Sequence, residues 1–165
     1  MTEATEPEAP APDQPPPEPA AALVKTHLRY GWIALLAFVT LGIALESLHA
    51  FKSAAYLGVG QETRRLMWTL SHAHGVGLSL VHIAYAATLH LRFTHATRPL
   101  RLASRMLTWS TGLVPGGFFL GGVVTYGGDP GVGAFLVPVG AGLLWIALAI
   151  VAHQIMTTPS AADRA

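Results

Sequence analysis

The sequence predicts an all-α integral membrane protein, an up-down-up-down bundle of four transmembrane helices. The chain has 165 residues, of which 52% are hydrophobic and only 12% are charged, whereas about a quarter are charged in an ordinary soluble domain. Four apolar runs are each long enough to cross a bilayer, and a soluble fold would have to bury all four of them. We therefore expect a polytopic membrane protein rather than a soluble domain.

The N-terminal segment, residues 1–24, is predicted to be a disordered tail. Residues 1–22 contain seven of the twelve prolines and five acidic residues, but neither Lys nor Arg. Such a segment cannot bury enough apolar surface to offset the entropy that it would lose on folding. No basic start is followed directly by an apolar stretch, so the segment does not read as a signal peptide.

The transmembrane domain, residues 25–158, is predicted to contain four spans, at about residues 29–50, 66–91, 102–124 and 132–155. At about 1.5 Å of rise per residue, each is long enough for a hydrocarbon core of roughly 30 Å. The run Tyr126-Gly-Gly-Asp129-Pro130-Gly131 is dense in turn formers, which predicts an antiparallel hairpin of the last two spans. A short tail, residues 159–165, ends the chain.

Basic residues near the ends of the spans predict the orientation. Seven Lys and Arg residues lie on the side of the two termini, and three lie on the opposite side. The positive-inside rule then places both termini in the cytoplasm, with the protein in the bacterial inner membrane. The net charge of +1 gives no reason to expect a nucleic-acid partner.

Eight histidines in so apolar a chain are the unusual feature of the composition, and cysteine is absent. Ionisable side chains inside spans are costly, and they therefore point to function. By depth, the outer layer consists of Glu46, His49, His72 and His74. The inner layer consists of His90 and His153, and His82 lies alone between the layers.

One face of the second span also differs from the others. About 100° per residue brings one tryptophan, three histidines and three small residues onto a single stripe. Its members are Trp68, His72, Gly75, Ser79, His82, Ala86 and His90. A stripe facing lipid would carry large aliphatic residues instead, so this one is expected to face the interior of the bundle.

The outer layer is a candidate metal site. Glu46 and His49 are three residues apart, and Glu-x-x-His is the spacing by which bundle helices present two ligands to one ion. Together with His72 they would suit iron, copper or zinc. His74 lies roughly 200° from His72 around the helix, so it would join this site only if the start of the helix is distorted.

The same histidines also fit b-type haem with two axial ligands, which must come from facing helices at equal depth. His49 and His72 meet this condition near the outer side, and His90 and His153 meet it near the inner side. His72 and His90 are about 27 Å apart along one face, so two haems would form a transmembrane electron path. The basic residues at suitable depths for haem propionates are Arg64, Arg65 and Arg92.

Each of these groups also has an ordinary structural interpretation. Glu46 could pair with Arg64 or Arg65, the inner-layer histidines could be interfacial residues, and His82 could bond a backbone carbonyl. His82 could instead belong to a proton relay in which waters bridge the histidines. The chain shows no nucleophile–base arrangement, phosphate loop or paired carboxylates that would indicate an enzyme.

Two stretches resemble small four-span bacterial membrane proteins that have no assigned activity. They are Glu46-Ser-Leu-His49-Ala-Phe-Lys52 and Arg64-Arg65-Leu-Met-Trp68-Thr-Leu-Ser-His72-Ala-His74-Gly75. The turn at Asp129-Pro130 agrees with this resemblance, which covers residues 29–155. In its histidine-bearing spans the chain is more loosely similar to haem-copper oxidase-like and b-type cytochrome membrane proteins. This similarity implies a haem- or metal-binding helical bundle and assigns no role to individual residues.

Three functions follow from these observations. The leading hypothesis is a membrane-embedded haem b or transition-metal (Fe, Cu or Zn) protein that serves electron transfer or metal handling. The second is an accessory or structural subunit of a larger membrane complex. The glycine-rich third and fourth spans suit close packing against a second copy or a partner subunit. The third is the proton or ion pathway through His82.

Overall fold

A computed structural model describes residues 19–158, and this part of the chain is helical. The long helices are α1 (Ala20–Ala50), α3 (Glu62–Arg92), α4 (Arg98–Val123) and α5 (Leu136–Thr157). A short helix α2 (Ala54–Leu57) follows α1, and a 3₁₀ helix (Val132–Phe135) precedes α5. Within residues 19–158 the only β-type pairing consists of two isolated bridges. The prediction of an all-α fold is confirmed for these residues.

The four long helices overlap the four predicted spans, and three of them begin before the predicted start, whereas α5 begins four residues after it, behind the 3₁₀ helix. α1 and α3 have 31 residues each, or about 46 Å at 1.5 Å per residue. α1 begins at Ala20, so residues 20–24, which were assigned to the tail, form its first turn. Leu23 and Val24 pack against the core there, which stabilises this turn. The remainder of the two predicted tails, residues 1–18 and 159–165, lies outside the described residues.

Two segments are long and apolar enough to cross a membrane by length and composition, Ala20–Ala50 and Val132–Thr157. α3 and α4 have comparable lengths, 31 and 26 residues, but they do not meet the same hydropathy criterion. Their histidines, serines and arginines lower the mean hydropathy. Composition thus supports two spans directly. The assignment of α3 and α4 as spans depends on whether their polar side chains point into the bundle.

The long helices pack side by side in the order α1, α3, α4, α5. α3 lies between α1 and α4, and α5 packs along α4. An apolar cluster joins α3, α4 and α5, and it consists of Tyr85, Leu89, Phe93, Leu100, Ala103, Leu107 and Ala147. In the described part of the chain α1 and α5 make no extensive contact, so the bundle is open on one side.

The surface of the helices carries many large apolar side chains, and the interior includes small and polar residues beside the apolar cluster. Ile33 and Leu36 of α1 are 69% and 70% exposed, and Trp145 of α5 is 72% exposed. In contrast, Ser79 and Ser110 are fully buried. A soluble domain shows the reverse distribution. Part of the modest hydropathy of α3 and α4 therefore comes from polar residues that lie inside, such as Ser79 and Ser110.

A tight turn joins α4 to the segment before α5. Tyr126 and Asp129 exchange two backbone hydrogen bonds of 3.0 and 2.9 Å. Both residues between them have positive φ, 58° at Gly127 and 98° at Gly128, as a type I′ turn requires and as glycine permits. Beyond the turn, α5 packs back along α4, with Gly140 against Val114. The helices therefore form the antiparallel hairpin that the turn-forming run predicts.

Candidate functional site

The first candidate site is a groove of about 660 Å³ between α1 and α3, near the α2 end of the bundle. We call it the α1–α3 groove. Its walls are mostly apolar, including Val39, Ile43 and Leu45, and its ionisable lining residues are Glu46 of α1, Tyr56 of α2 and His72 of α3. The volume falls within the range of small-molecule and cofactor sites, about 300–1,000 Å³.

The ring of His72 is held in one orientation. Its Nδ1 donates a hydrogen bond of 2.8 Å to the backbone carbonyl of Phe38 on α1. A carbonyl oxygen only accepts, so the ring proton is on Nδ1, and Nε2 keeps its lone pair. Histidines that bind metals or haem iron typically donate their other ring N–H to a carbonyl or carboxylate in this way. His72 therefore has the tautomer that a ligand of iron requires.

Two glycines allow α1 and α3 to approach closely at this point. A Cβ atom on Gly42 would lie 2.7 Å from Nδ1 and 2.9 Å from Nε2 of His72. The ring of Phe38 lies equally close to Gly75 of α3. Gly42 of α1 therefore leaves space for the ring of His72, and Gly75 of α3 leaves space for the ring of Phe38. A larger residue at either position would displace the facing ring.

The other outer-layer residues lie apart from this groove or at its edge. Glu46 is exposed but lines the same groove. His49 is exposed and lines a separate depression with Lys52. His74 lies in a groove of about 580 Å³ between α3, α4 and α5, and its Nδ1 donates to Leu70 of its own helix at 2.9 Å. Among the described residues, no group of three or more His, Cys, Asp or Glu side chains could hold a metal ion.

The arginines predicted at the propionate level bind backbone carbonyls instead. Arg64 donates to Gly122 and Val123 at the end of α4 and to Ala55 in α2, at 3.0 to 3.2 Å. The last carbonyls of a helix lack intrahelical partners, so Arg64 caps α4 and ties it to the first connection. Arg65 makes one long contact of 3.5 Å with the carbonyl of Tyr56.

The predicted stripe on α3 is buried in its middle and open at its ends. Gly75, Ser79, His82 and Ala86 are buried, whereas the inner-layer histidine of α3, His90, is exposed. His153 on α5 is exposed as well. The structure thus confirms the inward-facing middle of the stripe and places the two inner-layer histidines on the surface.

A second cluster of polar side chains is fully buried where α1, α3 and α4 meet. Nδ1 of His27 lies 2.6 Å from Nδ1 of His82. Nε2 of His27 lies 2.7 Å from the hydroxyl of Ser104, and Nε2 of His82 lies 3.1 Å from that of Thr111. The two histidines are 1% and 0% exposed. We call these four residues the His27–His82 cluster.

The two imidazoles of this cluster lie edge to edge. Their planes are 24° apart and their centroids 4.8 Å apart, which is roughly the 2.6 Å bond plus the two ring radii, so the rings do not stack face to face. The edge of Tyr85 packs against His27, and Tyr30 packs against His82. Two aromatic side chains thus enclose the hydrogen bond between the histidines.

Comparison with known proteins identifies no relative from which a function could be assigned. No protein-family model, curated protein or solved structure significantly matches the chain. The resemblance to small four-span bacterial membrane proteins therefore stays a prediction from the two quoted stretches. Function has to be inferred from the grooves and from the buried cluster.

His27 is a polar residue that the sequence analysis did not select. It lies two residues before the predicted start of the first span and between Lys25 and Arg29, where an interfacial histidine would be ordinary. One signal was present: small residues at Gly31, Ala34 and Gly42 continue a buried face of α1 that begins at His27. That face indicates that His27 points inward.

Proposed function

We propose that the chain is a four-span integral membrane protein that binds haem b in the α1–α3 groove, where Nε2 of His72 would bind the iron. The observation that carries this proposal is the hydrogen bond from Nδ1 of His72 to Phe38. It orients the ring and leaves the Nε2 lone pair available on a residue that lines a groove of about 660 Å³. A haem in this position would serve one-electron transfer within the membrane.

The distribution of side chains supports four spans rather than two. α3 and α4 fail a hydropathy criterion because of polar residues such as Ser71, Ser79 and Thr111, and these are buried. Their outward residues, such as Leu80 and Trp109, are 51% and 68% exposed and suit a hydrocarbon environment. All four long helices exceed the roughly 30 Å of the hydrocarbon core at 1.5 Å per residue.

The number of ligands favours haem over a bare metal ion. A structural metal ion such as Zn²⁺ commonly takes four protein ligands, and a catalytic one takes three. The α1–α3 groove offers one carboxylate and one imidazole, those of Glu46 and His72, and its third ionisable side chain is the phenol of Tyr56. Haem iron needs only one or two ligands from the protein, because the macrocycle supplies the others. The largely apolar walls also suit a flat, apolar group better than a hydrated ion.

Absorption spectra of the full-length protein, purified in mild detergent, test this function. A Soret band that shifts and sharpens on reduction with dithionite is expected, and elemental analysis of the same sample should give iron. His72→Ala should remove the haem. His74→Ala is the matched control, because His74 is two residues away and faces a different groove. A colourless wild-type protein from cells supplied with haem precursor, or full haem retention by His72→Ala, would contradict the proposal.

A second candidate function, an accessory subunit of a membrane complex, is favoured by the open helix faces. A Cβ atom on Gly77, Gly112, Gly116 or Gly142 would meet nothing within 4 Å among the described residues. Glycines with free faces allow another helix to approach closely. The occupant would be a second copy of the chain or a partner membrane subunit. Native mass spectrometry from detergent distinguishes the two, and a monomer without a partner would weigh against this function.

A further inference from the structure

In one arrangement, the hydrogen bonds of the His27–His82 cluster all run in the direction of the carbonyl of Leu107 on α4. The carbonyl of Leu107 can only accept, so Thr111 donates its hydroxyl proton to this oxygen at 2.9 Å. The hydroxyl oxygen of Thr111 then accepts the Nε2–H of His82 at 3.1 Å. His82 is therefore protonated on Nε2, and its Nδ1 carries a lone pair.

This assignment determines the remaining protons. His27 has to donate from Nδ1 to Nδ1 of His82, across 2.6 Å. Its Nε2 is then an acceptor, and it receives the hydroxyl proton of Ser104 at 2.7 Å. Each contact then contains one proton, and both imidazoles are neutral. Neutral rings are expected here because His27 and His82 are 1% and 0% exposed and an unpaired buried charge is costly.

The same heavy atoms also permit the opposite order. In that order Thr111 donates to His82, His82 donates from Nδ1 to His27, and Nε2–H of His27 donates to Ser104. The hydroxyl of Ser104 would then donate to a carbonyl of the preceding turn of α4, as serine commonly does in helices. Both rings are neutral in this order as well. The cluster therefore has two uncharged proton arrangements that differ only in direction.

We propose that Ser104, His27, His82 and Thr111 form a buried proton-transfer site that exchanges between these two orders. The O–H bond of Ser104 breaks as the Nε2–H bond of His27 forms, and the Nδ1–H bond of His27 breaks as that of His82 forms. The Nε2–H bond of His82 breaks as a new O–H bond forms on Thr111. A hydronium ion restores the proton of Ser104, and a water molecule accepts the proton that Thr111 releases.

The result of one exchange is a proton displaced along α4. Ser104 and Thr111 are seven residues apart on this helix, or about 10 Å along its axis. That is about a third of a hydrocarbon core of roughly 30 Å. His27 of α1 and His82 of α3 thus connect two hydroxyl groups of α4. The site does not depend on haem in the α1–α3 groove, because none of its four residues lines that groove.

Nitrogen-15 NMR of histidine-labelled full-length protein in lipid bilayers tests the proposal, since it distinguishes protonated from unprotonated ring nitrogens. The wild type should show His27 protonated on Nδ1 and His82 protonated on Nε2, with a through-bond coupling between the two Nδ1 atoms. In Thr111→Val, which keeps the shape of the side chain, His82 loses the acceptor for Nε2–H. Both tautomers should then reverse, because a buried lone pair is less costly to leave unpaired than a buried N–H.

Two matched variants make the test specific. Ser104→Ala removes the hydroxyl that donates to Nε2 of His27. Both tautomers should stay unchanged in this variant, because the wild-type order then leaves only the Nε2 lone pair of His27 without a partner. Thr111→Ser keeps the hydroxyl and should keep the wild-type order. If Thr111→Val retains the wild-type tautomers, the cluster is only a fixed tie between helices and the proposal is overturned. A wild type in which either histidine carries protons on both ring nitrogens would overturn it equally, because neither of the two uncharged arrangements would then be present.

Discussion

The imidazole of His72 lies directly over Gly42 of the facing helix, in space that a side chain at position 42 would occupy. A Cβ atom there would be 2.7 Å from Nδ1 of His72, the same atom that donates to the carbonyl of Phe38. One face of α1 thus orients His72 through two features, a carbonyl that accepts its proton and a glycine that leaves room for its ring.

Gly42→Ala should therefore displace His72 and lower the haem content of the purified protein severalfold. The added methyl group also overpacks the α1–α3 contact, which typically costs about 1–3 kcal/mol. Haem per protein from the reduced pyridine complex measures the first effect. Gly77→Ala is the control, because a Cβ atom there would meet nothing within 4 Å in the described residues. Equal haem content in the two variants would exclude this role of Gly42.

Glu46 lines the α1–α3 groove, so its charge should influence a haem bound there. A carboxylate near the iron stabilises the oxidised form, which carries one more positive charge, and it therefore lowers the reduction potential. Glu46→Gln should raise the midpoint potential in a redox titration followed by absorption. Glu62→Gln on α3 is a matched control outside the groove lining. A potential unchanged in Glu46→Gln would place the haem elsewhere.

The contact of α5 with α4 offers a test of packing that needs no cofactor. A Cβ atom on Gly140 would lie 2.7 Å from Val114 and 2.9 Å from Leu113, whereas one on Gly142 would have free space in the described structure. Gly140→Ala should lower the free energy of unfolding by about 1–3 kcal/mol. Gly142→Ala should raise it by about 0.5–1 kcal/mol, because alanine favours the helix. Unfolding in detergent, followed by circular dichroism, measures both; two changes of the same sign would contradict the packing of α5.

Arg64 should matter for stability even in protein without haem. Its guanidinium donates to the carbonyls of Gly122 and Val123 at the end of α4, and hydrogen bonds from charged groups contribute about 1.5–3 kcal/mol. Arg64→Ala should therefore lower the free energy of unfolding by about that amount, and Arg65→Ala, which loses one long contact, by less. The contradicting outcome is an Arg64→Ala variant that loses haem while the haem-free protein keeps its stability. Arg64 would then bind a haem propionate, as its depth in the sequence predicts, rather than cap α4.

The absence of cysteine from the chain makes its topology directly measurable. Val59 in the first connection is fully exposed, and Thr94 in the second connection is exposed as well. If both termini are cytoplasmic, a membrane-impermeant maleimide should label Val59→Cys in cells with a permeabilised outer membrane and leave Thr94→Cys unlabelled. Both variants should react after the inner membrane is disrupted. The inverse pattern would reverse the orientation predicted from the basic residues.

The helices were predictable because apolar runs bounded by Gly, Pro and charged residues are a local property of the sequence. Burial of the α3 stripe was predictable for the same reason, since Gly75, Ser79 and Ala86 recur at helical spacing. The division of the outer layer was harder to foresee. His49 and His72 share a depth, but depth does not determine the direction of a side chain near the end of a helix, and His49 lies in a different depression.

The bond between His27 and His82 could not be derived from spacing in the sequence. The two residues are 55 positions apart, and their meeting depends on how α1 rotates against α3. Lys25 and Arg29 made the start of the first span look interfacial, whereas α1 in fact begins at Ala20 and carries His27 well inside the helix. Polar partners on α4, Ser104 and Thr111, complete the cluster, and neither hydroxyl is distinguishable from others in the sequence.

The turn at Gly127 and Gly128 has a consequence for how the chain would enter a bilayer. α5 is strongly apolar, whereas α4 carries enough polar residues to fall below the hydropathy criterion of a span. The connection between the two helices, residues 124–135, contains this turn and the 3₁₀ helix, and it turns the chain back so that α5 packs along α4. The favourable transfer free energy of α5 therefore adds to that of α4, and the two helices would enter the membrane together as one hairpin. The polar groups of α4 would then lie within the bilayer, where α3 packs over them.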